Sequence, residues 1–292
     1  MAERNAKLIL MVGVLGVSAS AILVRFSQAP SGVTAAYRLG WTVLLLLPVV
    51  LLRCRAELRR VTARDLVLCG ASGVLLALHF LTWFESLKRT SVASSTVLVS
   101  TEVIFTAMGF ALFLHGKIPR LGVWAILLAF GGSALLALSG GGGAGGLSGN
   151  LLALAAASAA AVYTLIGRIQ RGHLSTTVYT FLTYLACFLT LLLGTAAAGT
   201  PLTGYGGREW LIGLALAVLC TLLGHSLFSW CLKYLSPSYV SAAKLCEPVF
   251  SSLAAIPLFG EVPGPLQLAG GAAVLGAVLL YTWAECEKTP AG

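Results

Sequence analysis

Residues 87–105 read LKRTSVASSTVLVSTEVIF, and residues 232–250 read LKYLSPSYVSAAKLCEPVF. Laid over each other at an offset of 145, they match at several places. Leu87-Lys88 falls on Leu232-Lys233, Ser91 on Ser236, and Glu102-Val103-Ile104-Phe105 on Glu247-Pro248-Val249-Phe250. After a one-residue slip, Gly116-Lys117-Ile118-Pro119 parallels Gly260-Glu261-Val262-Pro263, and Gly132 parallels Gly276. Short matches between Ala- and Leu-rich segments arise by chance. A run of them in one order, each at the same place in its helix, marks an internal repeat.

Around these stretches the chain is strongly apolar. Of 292 residues, 58% are hydrophobic and 10% charged, against about 25% charged in soluble domains. Apolar runs near 20 residues recur along the whole length, which is the length a helix needs to cross a bilayer. Ten spans are predicted: 8–25, 33–52, 66–87, 92–114, 121–139, 150–169, 177–197, 210–232, 238–258 and 265–283. Turn residues separate them, among them Pro30, Pro119, Pro201, Pro237 and Pro263. The fold class is all-α and integral to the membrane. It comprises a first repeat over 7–139, a Gly-rich linker over 140–149 and a second repeat over 150–284. Each repeat holds five spans, an odd number, so the two must insert in opposite orientations. Inverted repeats of this kind place a substrate site at their interface near mid-membrane.

Charge orients the spans. With the N-terminus inside, the inner Lys and Arg are Arg4, Lys7, Arg53, Arg55, Arg59, Arg60, Arg64, Lys117, Arg120, Arg168, Arg171, Lys233 and Lys288, thirteen in all. The outer ones are four: Arg25, Lys88, Arg89 and Arg208. Both termini are therefore expected in the cytoplasm. The formal charge of +9 follows from this bias and does not call for a nucleic-acid partner. The N-terminal run resembles a signal peptide, but it continues to Val24 without a cleavage site and reads as the first span. The seven cysteines show no CxxC spacing and no disulfide is expected.

In Ala36-Tyr37-Arg38-Leu39, in Ala93-Ser94-Ser95-Thr96, and in Glu247-Pro248-Val249-Phe250 followed by Leu258-Phe259-Gly260-Glu261, the chain resembles the drug/metabolite transporter superfamily, specifically proteins with two EamA-like domains. The resemblance covers nearly all of 7–284. It implies ten helices, inverted repeats and movement of small organic molecules. Two positions depart from the family pattern. Val103 stands where Pro is common, and Lys117 where an acid usually follows Gly.

Ionisable groups inside spans cost roughly 2.5–3.5 kcal/mol each at the bilayer centre, so they face the bundle interior. Glu102 and its repeat mate Glu247 are the leading candidates for binding substrate or a coupling proton; interhelical packing is the bland alternative. Lys244, three residues from Glu247, either neutralises it or binds a substrate carboxylate. His79 with Trp83, and His225 with Trp230, occupy nearly equivalent places, and each tryptophan could wall a cavity by cation–π contact. Arg38 is expected to pair locally or snorkel outward rather than bind substrate. Tyr163 and Tyr37 could present hydroxyls. Glu85, Lys88 and Arg89 have the spacing of a surface ion pair.

No metal set and no Walker lysine loop appear, so no metal or other cofactor is expected. The leading reading is a secondary transporter in the cytoplasmic membrane, working by alternating access as a monomer or homodimer. An exporter of amino acids or related metabolites is preferred, because acid and base together suit a zwitterion. An importer of a small organic cation is the alternative. An intramembrane enzyme would need acids and histidines clustered on facing helices. A sensor would bring a soluble domain.

Overall fold

The computed structural model describes residues 2–113, 118–138, 146–170, 174–225, 227, 231 and 246–286. Apolar runs without a breaking glycine–proline pair have one way to satisfy their backbone in lipid, which is to coil. The chain does so in α1 (Ala2–Phe26), α2 (Ser31–Arg53), the short α3 (Arg55–Leu58), α4 (Ala63–Arg89), α5 (Val92–Val99), α6 (Glu102–Phe113) and α7 (Arg120–Leu138). The second half holds α8 (Gly146–Gln170), α9 (Thr176–Ala197), α10 (Gly207–Ala215) continued by a π-helical segment (Leu216–His225), α11 (Cys246–Phe259) and α12 (Pro265–Cys286). Seven helical stretches are long and apolar enough to cross a membrane, and three more (Arg120–Leu136, Cys246–Phe259, Pro265–Tyr281) are shorter apolar helices. The architecture is the all-α, ten-helix arrangement in two inverted repeats. Among the described residues there is no strand.

Local chemistry sets the ends. Thr62 caps α4 through a capping box with Asp65, Ser91 caps α5, and Ser175 caps α9. Gly206 (φ 83°) precedes α10, and Gly260 (φ 68°) ends α11 in the left-handed conformation that a side chain resists. Span four, expected as one helix over 92–114, is split. Ser100 and Thr101 turn their hydroxyls back onto the carbonyls of Thr96 and Leu98, at 3.0 and 2.6 Å, and loosen the ladder. Glu102 thereby opens a half-helix in mid-span, at its positive end. The helix expected from 150 begins at Gly146 instead. Its start is drawn in by Asn150, which donates to Leu136 O at 3.0 Å and accepts from Thr90 Oγ1 at 2.8 Å.

The packing repeats under exchange of the halves. α4 lies on α8, as the π segment lies on α1. α4 lies on α9, as α10 lies on α2; α5 and α6 lie on α8, as α11 lies on α1. Three contacts map onto themselves: α2 with α9, α5 with α11, and α7 with α12. Lipid supplies no hydrophobic drive between helices, so close approach comes from small residues. A Cβ on Gly132 of α7 would meet Ala273 Cβ and Gly270 O of α12 at 2.9 Å. Large apolar side chains instead cover the outside, with Leu52, Val67, Leu112 and Leu193 exposed.

Two carboxylates show the same symmetry. Asp65, near the start of α4, accepts from Gln170 at the end of α8, at 3.1 Å. Glu209, near the start of α10, accepts from Ser27 just after α1 and from Gln28 N at 3.1 Å. Glu85 pairs with Arg89 at 2.8 Å as its spacing predicted, while Lys88 donates to Ala29 O and Ser31 donates to Glu85.

Candidate functional site

The deepest charge in the described bundle is Arg38, 1% exposed. It does not snorkel. Its Nε donates to Thr221 Oγ1 at 2.9 Å and its Nη1 to Ser20 Oγ at 3.1 Å. The guanidinium carbon lies 4.4 Å from the centroid of the Phe80 ring, whose face accepts positive charge. Ser20 comes from α1, Phe80 from α4 and Thr221 from the π segment, so both halves hold this one side chain. Glu247, Tyr184, Cys187 and Cys220 lie within electrostatic reach of it. A guanidinium has five N–H donors and two hydroxyls engage only two of them. Burying such a charge is costly, and burial outweighs the groups that favour it, of which Glu247 is the weakest.

The π segment is part of the construction. Thr221 donates to Leu216 O, five residues back, at 3.3 Å. The widened turn is fitted against α1 by a glycine: a Cβ on Gly16 would meet Leu219 O at 2.8 Å. Cys220 donates through Sγ to Gly16 O at 3.2 Å.

A second polar group surrounds Glu102. Thr164 Oγ1 on α8 donates to Glu102 Oε1 at 2.7 Å. Tyr163, the preceding residue, lies within electrostatic reach of Tyr184, Tyr179, Glu102 and Cys187. Glu102, Tyr163, Tyr184, Arg38 and Glu247, from α6, α8, α9, α2 and α11, are thus each within electrostatic reach of the next. Beside it, the His79 ring stacks on Trp83 at 5.8 Å and packs edge-on to Phe80 at 5.1 Å. His79 Nδ1 lies 3.0 Å from Ala156 O. The buried indole N–H of Trp83 has no hydrogen-bond partner among the described residues.

The other predicted residues stand apart or lie outside the described set. Tyr37 stacks on Trp210 at 4.1 Å, and its hydroxyl donates to Leu202 O in the α9–α10 turn, so it is engaged at the edge of the bundle. Lys244 and Trp230 lie outside the described residues, as does the side chain of His225. A recess of about 540 Å³ lies elsewhere, lined by Arg53, Glu57, Arg60, Thr62, Asp65 and Leu174 among others. Ser20, Thr164, Tyr184 and Thr221 were not singled out as site residues from sequence. The available signal was a buried arginine, which requires hydroxyl or carboxylate acceptors; which hydroxyls reach it depends on packing.

The comparisons with known proteins agree with this architecture. The sequence profile of the EamA-like transporter family matches residues 5–138 and 147–283. The chain is similar to the pseudopaline exporter CntI of Pseudomonas aeruginosa, with 24% identity over 207 residues covering 71% of this chain and 72% of the exporter. It is also similar to an uncharacterized transporter of Archaeoglobus fulgidus, with 36% identity over 100 residues, 34% of this chain and 36% of that one. A crystal structure superposes with a TM-score of 0.62 at 18% identity, covering 96% of this chain and 98% of its own. With a profile match over both halves, the chain belongs to the EamA-like transporter family of multi-pass membrane transporters.

Proposed function

We propose that the protein exports small zwitterionic metabolites of the amino-acid kind across the cytoplasmic membrane by alternating access. The observation that carries this reading is Arg38: a guanidinium buried at the junction of the two halves, with hydroxyls on two of its donors and Glu247 in reach. A substrate carboxylate competes with Glu247 for Arg38, and a substrate ammonium takes the carboxylate that is released. Occupancy then biases the rocking of one half against the other. The name of the pseudopaline exporter relative supports outward movement. The thirteen-to-four charge bias supports an orientation with the face bearing Arg53–Arg64, and both termini, in the cytoplasm.

A thermal-shift screen tests the substrate class, since a ligand that binds only the folded state raises the melting temperature. Amino acids and their derivatives should shift it, and Arg38→Gln should abolish the shift. Binding confined to quaternary amines and polyamines, surviving in Arg38→Gln, would instead support import of an organic cation. Glu102, at the start of its half-helix and, among the described residues, hydrogen-bonded through its carboxylate to Thr164, is the proposed proton site. Glu102→Gln should abolish accumulation driven by a pH gradient in proteoliposomes while exchange of substrate persists. Gradient-driven transport at the wild-type rate would remove Glu102 from that role.

A further inference from the structure

On the face opposite the Arg53–Arg64 loop, one ion pair ties three segments together. Arg25, in the last turn of α1, donates through Nη1 to Leu87 O at 2.6 Å and to Thr90 O at 3.1 Å, closing the exposed end of α4. Its Nη2 pairs with Glu261 Oε1 in the α11–α12 turn, 236 residues away. The second oxygen of Glu261 accepts from Val92 N at 2.7 Å, at the start of α5. Phe259 lies under the guanidinium at 5.2 Å and packs on Phe26 at 5.1 Å. The left-handed Gly260 turns Glu261 back toward this contact. Both charged side chains are about one-fifth exposed, so water screens the pair less than an ordinary surface pair.

The repeat makes the pair more telling. In the first half the residue in register with Glu261 is Lys117. The sequence at and just after the end of α8, which corresponds to the end of α1, carries Arg168 and Arg171. That corner has cations where this one has an anion and a cation. We propose that Arg25 and Glu261 are the gating residues of the face away from the arginine-rich loop. Together they hold α1, the α4–α5 corner and the α11–α12 turn shut. The proposal rests on the transporter reading, because a gate has meaning only where two faces open in turn. Its consequence is a resting state closed on the Arg25 face, which suits a substrate collected from the cytoplasm.

Hydrogen exchange of the purified protein in lipid nanodiscs tests this without any substrate, so its failure is separable from failure of the substrate assignment. Glu261→Gln keeps the acceptor for Val92 N and removes only the charge. Arg25→Gln removes the charge and shortens the reach. Each should speed exchange roughly tenfold or more in the segments around 23–31, 87–94 and 256–264, and leave 55–66 and 170–178 unchanged. Arg25→Gln with Glu261→Gln should be no faster than the worse single variant, because the two act on one contact. Arg25→Lys should fall between wild type and Arg25→Gln. Unchanged exchange in the single variants overturns the latch. So does acceleration spread evenly over both faces, which would make the pair an ordinary folding contact.

Discussion

The two corners that the repeat makes equivalent carry different charges in their sequences. Gly260-Glu261-Val262-Pro263 ends α11 with an acid that reaches Arg25, Val92 and the α4–α5 corner. Gly116-Lys117-Ile118-Pro119 offers a cation at the same place. Elsewhere the halves agree closely: Asp65 and Glu209 receive from the ends of α8 and α1, and the helix contacts map onto each other. The lesson is that symmetric packing does not entail symmetric electrostatics. Helix contacts depend on the positions of small residues, which a duplicated sequence keeps easily. A gate depends on a few charges at helix ends, and one substitution reverses its sign.

The comparison can be broken most severely at Arg38, where both halves meet. Arg38→Met removes the guanidinium and strands its partners, so stability should fall by about 3 kcal/mol or more. Arg38→Lys should restore only part of this, because an ammonium lacks the planar fork that serves Thr221 and Ser20 together. Thermal unfolding in detergent measures both. Equal stability of Arg38→Met and wild type would show that the site is not ionically coupled.

The α7–α12 contact, which the exchange of halves maps onto itself, comes next. Gly132→Leu forces a branched side chain against Ala273 and Gly270, and should cost about 1–3 kcal/mol. Gly131, with open space around its Cβ position, should tolerate alanine with little loss. A similar loss at both glycines would show that the close approach to α12 is not its source, since helix propensity favours both replacements over glycine.

The carboxylate pair sharpens the comparison directly. Asp65→Asn and Glu209→Gln should each cost about 1–2 kcal/mol, since each weakens charge-assisted hydrogen bonds that tie a span start to a distant helix end. Hydrogen exchange should then rise near 62–70 in the first variant and near 206–214 in the second. A response at only one of the two would make the symmetry geometric and not energetic. The smallest effect belongs to Arg89, whose partner Glu85 lies four residues away at an exposed surface. Arg89→Ala should change stability by less than about 0.5 kcal/mol, and a larger loss would assign Arg89 to the latch corner beside it.

Much of this was legible before any coordinates. Ten apolar stretches, the odd number of spans per half, and the matches around Glu102 and Glu247 depend only on composition, period and order along the chain. Lipid leaves the backbone so few options that hydropathy nearly dictates the helices. The break before Glu102 was less visible, because Ser100 and Thr101 are compatible with a continuous helix until their hydroxyls choose the backbone. Arg38 was visible as a charge inside a span. Its burial was not, because a long side chain near a span end can reach water unless neighbours enclose it. What only the tertiary structure decided was partnership: Ser20, Phe80 and Thr221 around Arg38, and Glu261 beside Arg25 across 236 residues. Sequence periodicity says which face a residue occupies on its own helix. Which face of which other helix it meets is set by the close fit of small residues between helices, a property of two surfaces at once that no single stretch of the chain contains.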